Sequence, residues 1–168
     1  MSLRLIQGDI TLMQTDAIVN AANSRLQRGG GVCGAIFARA DGEALQAACD
    51  EIGFCPTGEA VLTSSCGLNA PFVIHAVGPI WQGGNHQEAE LLRSAYIHSL
   101  DAAERNLLHS IAFPLISSGI YGFPLQQAIS IALSAIEDWL TAHSADMQVY
   151  LVLFDRTAFE LSCALHAQ

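Results

Sequence analysis

The sequence predicts an α/β protein, a mixed or parallel sheet covered by helices on both faces. Three observations predict it. β-rich and helix-like segments alternate along the chain. The clearest strands, Ile111–Ile116 and Gln148–Phe154, are continuous apolar runs, the pattern of strands buried on both faces. The 168 residues are 51% hydrophobic and 14% charged. That is about one domain of the usual ~100–200 residues, with material for a core, and it excludes intrinsic disorder. Residues 1–168 are therefore read as a single domain.

Taken in order, Leu3–Gln7 reads as a first strand and Asp16–Asn20 as a short apolar strand ending in polar residues. Val32–Glu51, rich in alanine, reads as one helix. Glu59–Ser64 and Phe72–Val77 are β-rich, with the turn-forming Gly67-Leu68-Asn69-Ala70-Pro71 between them. Asn85-x-x-Glu88 has the spelling of a capping box and predicts a helix from about His86 to Leu107. After the strand Ile111–Ile116, Pro124 stands where a first-turn proline belongs. Leu125, Ala128, Ile129, Ala132, Leu133, Ile136, Trp139 and Leu140 then form one apolar helical face. Gln148–Phe154 is the last strand, and a short helix from Thr157 ends the chain. Ligands of such sheets sit beyond the carboxyl ends of the strands, so chemistry is expected in the loops after Asn20, Ile116 and Phe154.

Charge narrows the function. Sixteen acidic residues face seven basic ones, for a net charge of −9, and every basic residue is an arginine. Without lysine there is no Walker-type phosphate loop and no Schiff-base chemistry. The acidic balance argues against nucleic acid as a partner. A phosphorylated ligand would have to be held mainly by backbone N–H groups. The five cysteines are odd in number and form no Cys-x-x-Cys pair, and the six histidines show no His-x-x-x-His spacing. Reduced thiols and no metal site are expected. No apolar stretch approaches the ~20 residues of a membrane span, and the opening residues lack a signal segment, so a cytoplasmic location without membrane contact is expected.

Five motifs carry chemistry. Gly29-Gly30-Gly31-Val32-Cys33-Gly34 precedes a helix-like segment. Glycines let the backbone approach a ligand closely, and a helix N-terminus attracts anions. The spelling also fits the dinucleotide fingerprint, but eight residues, Ala21–Arg28, separate it from the strand it should follow, so hydride transfer rests on spelling alone. Ser117-Ser118-Gly119-Ile120-Tyr121-Gly122, between a strand and a helix, is a second candidate phosphate cradle. Position 116 is Ile, so no Gly-x-Ser-x-Gly elbow forms. Asn20 and Asn23 end a strand with carboxamides suited to ribose hydroxyls, or to an ordinary turn. Asp9 suits an exocyclic amine or a turn cap, and Phe154 suits a stacked base or the core.

Together the motifs at 8–11, 16–23, 29–36, 73–81 and 116–124 resemble the macro domain family, closest to its MacroD-type ADP-ribose-processing branch. The resemblance runs in order over residues 5–155. It implies a three-layer α/β/α macro fold with a mixed sheet of six or seven strands. It implies ADP-ribose as ligand, with no cofactor, bound by a monomer. By resemblance Asp9 holds the adenine amine with Ile10 beside it, and Phe154 flanks the ring. Gly29, Gly30, Gly31 and Val32 clasp the diphosphate from one side, and Ser117, Ser118, Gly119, Ile120, Tyr121 and Gly122 from the other. Asn23 holds the distal ribose with Asn20 nearby, and Tyr121 orients that ribose and the attacking water. The implied activity is hydrolysis of mono-ADP-ribosyl groups on acidic side chains, of O-acetyl-ADP-ribose, or of both. Two positions depart from the hydrolytic pattern: Cys33 stands where that branch has aspartate, and Phe37 where it has histidine. The expected catalytic set is Asn23, Cys33 and Tyr121. The departures leave a non-catalytic ADP-ribose reader as the alternative.

Overall fold

The structure, a computed structural model, describes residues 2–143 and 146–168. Six strands form among them: β1 (Ser2–Gln7), β2 (Ala17–Ala22), β3 (Ala60–Ser64), β4 (Phe72–Val77), β5 (Ser110–Phe113) and β6 (Gln148–Leu153). Five helices of nine residues or more accompany them: α1 (Gly31–Arg39), α2 (Gly42–Ile52), α3 (Glu88–Arg105), α4 (Leu125–Ala142) and α5 (Arg156–His166). The strands lie in the order β1-β6-β5-β2-β4-β3. β3 runs antiparallel to β4 and the other pairs are parallel. The expected mixed sheet between helix layers is present.

Alternation along β2 assigns the two faces. Ala17 and Val19 join the core beneath α3, α4 and α5, while Ile18 and Ala22 join the core beneath α1 and α2. The predicted face of α4 is buried from Ala128 to Leu140, with Leu125 packed at its margin. Each large aliphatic on it contributes roughly 1.5–3 kcal/mol by leaving water. Among the described residues, no helix is long and apolar enough to cross a membrane.

Several boundaries differ from expectation, each for a local reason. The segment Val32–Glu51 is two helices. Ala40 is extended, and the Asp41 carboxylate accepts from the Ala44 N–H at 3.1 Å, starting a new helix. Asn85 does not cap α3. Gln87, left-handed at φ 60°, precedes it, and the buried Glu88 carboxylate reaches back to the N–H groups of Gln82, Gly84 and His86. Strand β5 stops at Phe113 because Pro114 has no N–H for the ladder. The Tyr96 hydroxyl takes over there, donating to the Pro114 carbonyl and accepting from the Ile116 N–H. Pro124 caps α4 from outside instead of opening it, and Phe154 lies just past β6, 80% exposed.

Candidate functional site

The sheet itself makes the cleft. β2 and β5 pair only through Ala17–Ile111 and Ile18–Ala112, so their carboxyl ends have no further ladder bonds between them. The chain leaving β2 enters α1 on one face, and the chain leaving β5 enters α4 on the other. This is a topological switch point, where open α/β sheets bind ligands. A cleft of about 190 Å³ occupies it. Its walls are Ala21–Asn23, Gly29–Cys33, Gly78, Leu115–Ser117 and Gly119–Tyr121.

The glycine loop forms one wall. Gly30 caps α1, and Gly31 turns the chain at φ 56°. The first N–H groups of a helix have no intrahelical acceptor, and they carry the positive end of its dipole. Gly34 sits so close that a Cβ there would come within 2.7 Å of the Gly29 carbonyl oxygen. The opposing wall is the loop after β5. Ser117 holds a left-handed backbone, φ 69°, tied by its Oγ donating to the Pro79 carbonyl at 2.8 Å. Gly78 lies directly beneath, where a Cβ would collide with Ser117 Oγ and Ile116 Cγ2. Across the cleft, Ile120 Cδ1 stands 3.3 Å from the place of a Cβ on Gly30. The loops therefore converge, and no arginine lines the cleft among the described residues. An anion there meets backbone N–H groups.

A second support comes from the segment before α3. Burial pushes the Glu88 carboxyl up, but the backbone N–H groups of Gln82, Gly84 and His86, together with its own, outweigh this and bring it down to about 2. The anchored segment carries Trp81, whose backbone N–H donates to the Tyr121 carbonyl at 2.8 Å and whose ring packs on Phe123 with centroids 4.8 Å apart. Burial, and secondarily the Cys33 sulfur nearby, raise the Tyr121 phenol above its usual value, so it is neutral.

The predicted residues fall into three groups. Asn23, Gly29–Cys33, Ser117, Gly119, Ile120 and Tyr121 line the cleft together. Asn23 closes a ring with Gln27, donating to its carbonyl at 2.8 Å and accepting its N–H at 3.1 Å. Asn20, Ser118 and Gly122 support the cleft without lining it. Asn20 is 1% exposed and lies beneath the floor. Ser118 Oγ donates to the Leu115 carbonyl, and Gly122 closes a turn onto Gly119. Asp9, Ile10 and Phe154 lie outside the cleft lining. The Thr11 hydroxyl, 2.6 Å away, and the Thr11 N–H hold the Asp9 carboxyl below its ordinary value. Ala21, Ala22, Gly78, Leu115 and Ile116 also line the cleft. All but Leu115 fall within the motifs at 16–23, 73–81 and 116–124, which assign them no role of their own, and Gly78 carries a further signal, a glycine–proline pair directly after a strand.

The Macro domain sequence pattern matches residues 19–132. The chain belongs to the Macro domain family. Relatives extend over nearly all of this macro domain. An O-acetyl-ADP-ribose deacetylase of Salmonella newport is 51% identical over 170 residues, covering 99% of this chain and 94% of the relative. A macro domain-containing protein of Cupriavidus necator, encoded in a gbd 3′ region, is 51% identical over 163 residues, covering 95% and 94%. Among solved structures, the Oceanobacillus iheyensis macrodomain with ADP superposes with a TM-score of 0.92 at 39% identity, covering 97% of this chain and 88% of that one. The Trypanosoma brucei macrodomain in complex with ADP-ribose gives 0.89 at 36% identity, covering 96% and 68%. The macro fold inferred from the sequence motifs is the fold observed.

Proposed function

We propose that this macro domain binds ADP-ribose in the β2–β5 cleft and hydrolyses ADP-ribose derivatives, O-acetyl-ADP-ribose and mono-ADP-ribosyl groups on acidic side chains. The observation that carries the reading is the convergence of the glycine loop and the Ser117–Gly122 loop across the cleft, with Ile120 Cδ1 3.3 Å from a Cβ position on Gly30. Two backbone anion cradles facing each other suit a diphosphate better than a single phosphate. They do so in a chain with no lysine and a net charge of −9. The relative named as an O-acetyl-ADP-ribose deacetylase supports the choice of substrate.

In this reading the diphosphate takes the N–H groups of both loops. The adenine end leaves the cleft toward Asp9, which accepts from the amine, with Ile10 beside it and Phe154 flanking the ring. The distal ribose reaches Asn23, with Tyr121 closing over it. In O-acetyl-ADP-ribose water attacks the acyl carbon: the acyl–oxygen bond breaks, the ribose hydroxyl takes a proton, and acetic acid leaves. On an ADP-ribosylated acidic side chain water attacks the anomeric carbon: the bond from that carbon to the carboxylate oxygen breaks, the side-chain carboxylate leaves, and the water oxygen, having lost a proton, becomes the anomeric hydroxyl. The loop amides stabilise the negative charge that develops. Cys33 lies in the cleft wall, 5% exposed, and helps to place the water. The test is a titration with ADP-ribose followed by turnover of each ester. Binding with turnover is expected; absence of binding would overturn the reading.

Two observations favour a second reading, a reader that binds ADP-ribose without cleaving it. Phe37 is 2% exposed and packed in the core under α1, so it supplies no polar group to the cleft. The Cys33 sulfur is already engaged by Asn20 and by the Gln27 carbonyl. Tight binding with no turnover of either ester would establish this reading.

A further inference from the structure

Beneath the cleft floor lies a chain of polar groups that the function above does not use. β2 and β4 pair in parallel with Asn20 opposite His75, and β3 lays Thr63 alongside on the same face. All three are buried beneath α1 and α2, His75 at 1% exposure and Thr63 at 6%. Thr63 Oγ1 donates its proton to the Ser64 carbonyl at 2.9 Å. It therefore meets His75 Nε2, also at 2.9 Å, as an acceptor, and Nε2 carries the hydrogen. Burial holds the His75 imidazole down to about 4, so the ring is neutral and its Nδ1 is an acceptor. Asn20 Nδ2, 3.1 Å from that Nδ1, donates to it.

The amide orientation of Asn20 is thereby set. Its second N–H points to Cys33 Sγ at 3.7 Å, and the Cys33 thiol donates to the Gln27 carbonyl at 3.8 Å. That same carbonyl accepts from Asn23 Nδ2 at 2.8 Å. Asn20 Oδ1 has no partner among the described residues, although the side chain is buried. The side chain thus forgoes a bond at its oxygen to keep both N–H groups aimed at His75 and Cys33. An unsatisfied buried acceptor is unfavourable, so something must hold the amide in this orientation. His75 is the group that does.

We infer that His75 is a positioning residue of the cleft: through Asn20 it sets the Cys33 sulfur and, beyond it, the Gln27 carbonyl on which Asn23 rests. The inference deepens the proposed function, because it takes from that reading the role of Asn23 at the distal ribose.

The first test needs no substitution. The ¹⁵N NMR shifts of His75 in the intact protein should show the Nε2-protonated neutral tautomer. The Nδ1-protonated tautomer would overturn the inference, because Nδ1 would then be a donor. The second test uses a pair of variants. His75→Asn places an amide oxygen near the position of Nδ1 and leaves nothing toward Thr63. His75→Gln places an amide near the position of Nε2 and leaves no acceptor toward Asn20. Both lose packing, so thermal stability should fall in both. The side-chain amide protons of Asn20 should stay protected from exchange in His75→Asn and lose protection in His75→Gln.

Affinity for ADP-ribose should fall about tenfold in His75→Gln, the order expected for one lost buried hydrogen bond. His75→Asn should restore most of it. Affinity for ADP, which has no distal ribose, should change in neither. The reverse ranking would assign the effect to Thr63, and equal losses would make the ring a space-filler; either overturns the inference. Failure of the unsubstituted protein to bind ADP-ribose would instead sink the proposed function, while the tautomer and the Asn20 exchange would still decide for or against the hydrogen-bonded chain.

Discussion

Asn20 Nδ2 lies 3.1 Å from His75 Nδ1 across the β2–β4 ladder, each side chain 1% exposed. The groups bonded to His75 are uncharged: Asn20, Thr63 and the Cys49 thiol, which burial, and secondarily Cys33 nearby, push up to about 11. Charging the imidazole in the fold is therefore unfavourable. The folded protein takes up this proton near pH 4, whereas the unfolded chain takes it up at the ordinary value of 6.5. In between, the unfolded state binds more protons, so His75 makes stability fall as pH drops from 6.5 toward 4. Urea denaturation midpoints across that range should fall more steeply for the unsubstituted protein than for His75→Asn. Parallel curves would contradict a neutral buried imidazole.

Glu88 governs a lower window. Its carboxyl is held at about 2 against an ordinary 4.5, so its contribution to stability is present above 4.5 and is lost as pH falls through 2. Glu88→Gln keeps the shape but presents an N–H₂ to backbone donors that need acceptors. The variant should be less stable near neutrality, with the gap narrowing below pH 4.5 and closing only as pH falls through about 2, as seen by thermal denaturation. Because Trp81 ties this segment to Tyr121, ADP-ribose affinity should weaken as well.

Gly78 supports the second loop by lacking a side chain. A Cβ there meets Ser117 Oγ and Ile116 Cγ2 at impossible range. Gly78→Ala should cost about 1–3 kcal/mol, the usual penalty for overpacking, and should weaken ADP-ribose binding more than a remote change of equal destabilisation. An unchanged denaturation midpoint would contradict the packing described here.

The balance of charge predicts an unusual response to salt. Net charge is −9 and no arginine lines the cleft among the described residues. Repulsion of an anionic ligand is screened beyond ~8 Å at physiological ionic strength. ADP-ribose affinity should stay level or rise slightly as salt increases, read by calorimetric titration. A steep fall would mean that side-chain cations such as Arg25 or Arg28 carry the binding.

Cys33 stands between an N–H of Asn20 and the Gln27 carbonyl. Cys33→Asp would accept well from Asn20 and be repelled by the carbonyl. It should lower thermal stability while raising turnover of a mono-ADP-ribosyl ester by roughly 10²-fold, the lower range for a positioned base. Turnover at or below that of the unsubstituted protein would show that the water is not served from this position.

Much of this was legible in the sequence for identifiable reasons. α4 announced itself by periodicity, and β5 and β6 by unbroken apolar runs. The two loops showed through their glycines and their places between strand and helix. The break at Ala40–Asp41 is hidden because alanine continues the helical composition, although Asp41 followed by Glu43 is a legitimate helix start. The Glu88 anchor is half visible: the sequence shows an acid near a helix start, but its partners are backbone groups that only the loop's path brings together. Asn20, Thr63 and His75 come from three segments, and only strand register puts them on one face. The Gly78-Pro79 pair marks a turn after β4, but Gly78 reaches the cleft only because Ser117 bends over it, a tertiary fact that the pair does not spell.

The most direct test is a mass-spectrometric time course. O-acetyl-ADP-ribose and a protein ADP-ribosylated on aspartate and glutamate would each be incubated with the unsubstituted protein and with Asn23→Ala. Release of ADP-ribose by the unsubstituted protein, slowed at least tenfold in Asn23→Ala, is the predicted result. No release from either substrate by a protein that still binds ADP-ribose would contradict hydrolysis and leave a reader of ADP-ribose.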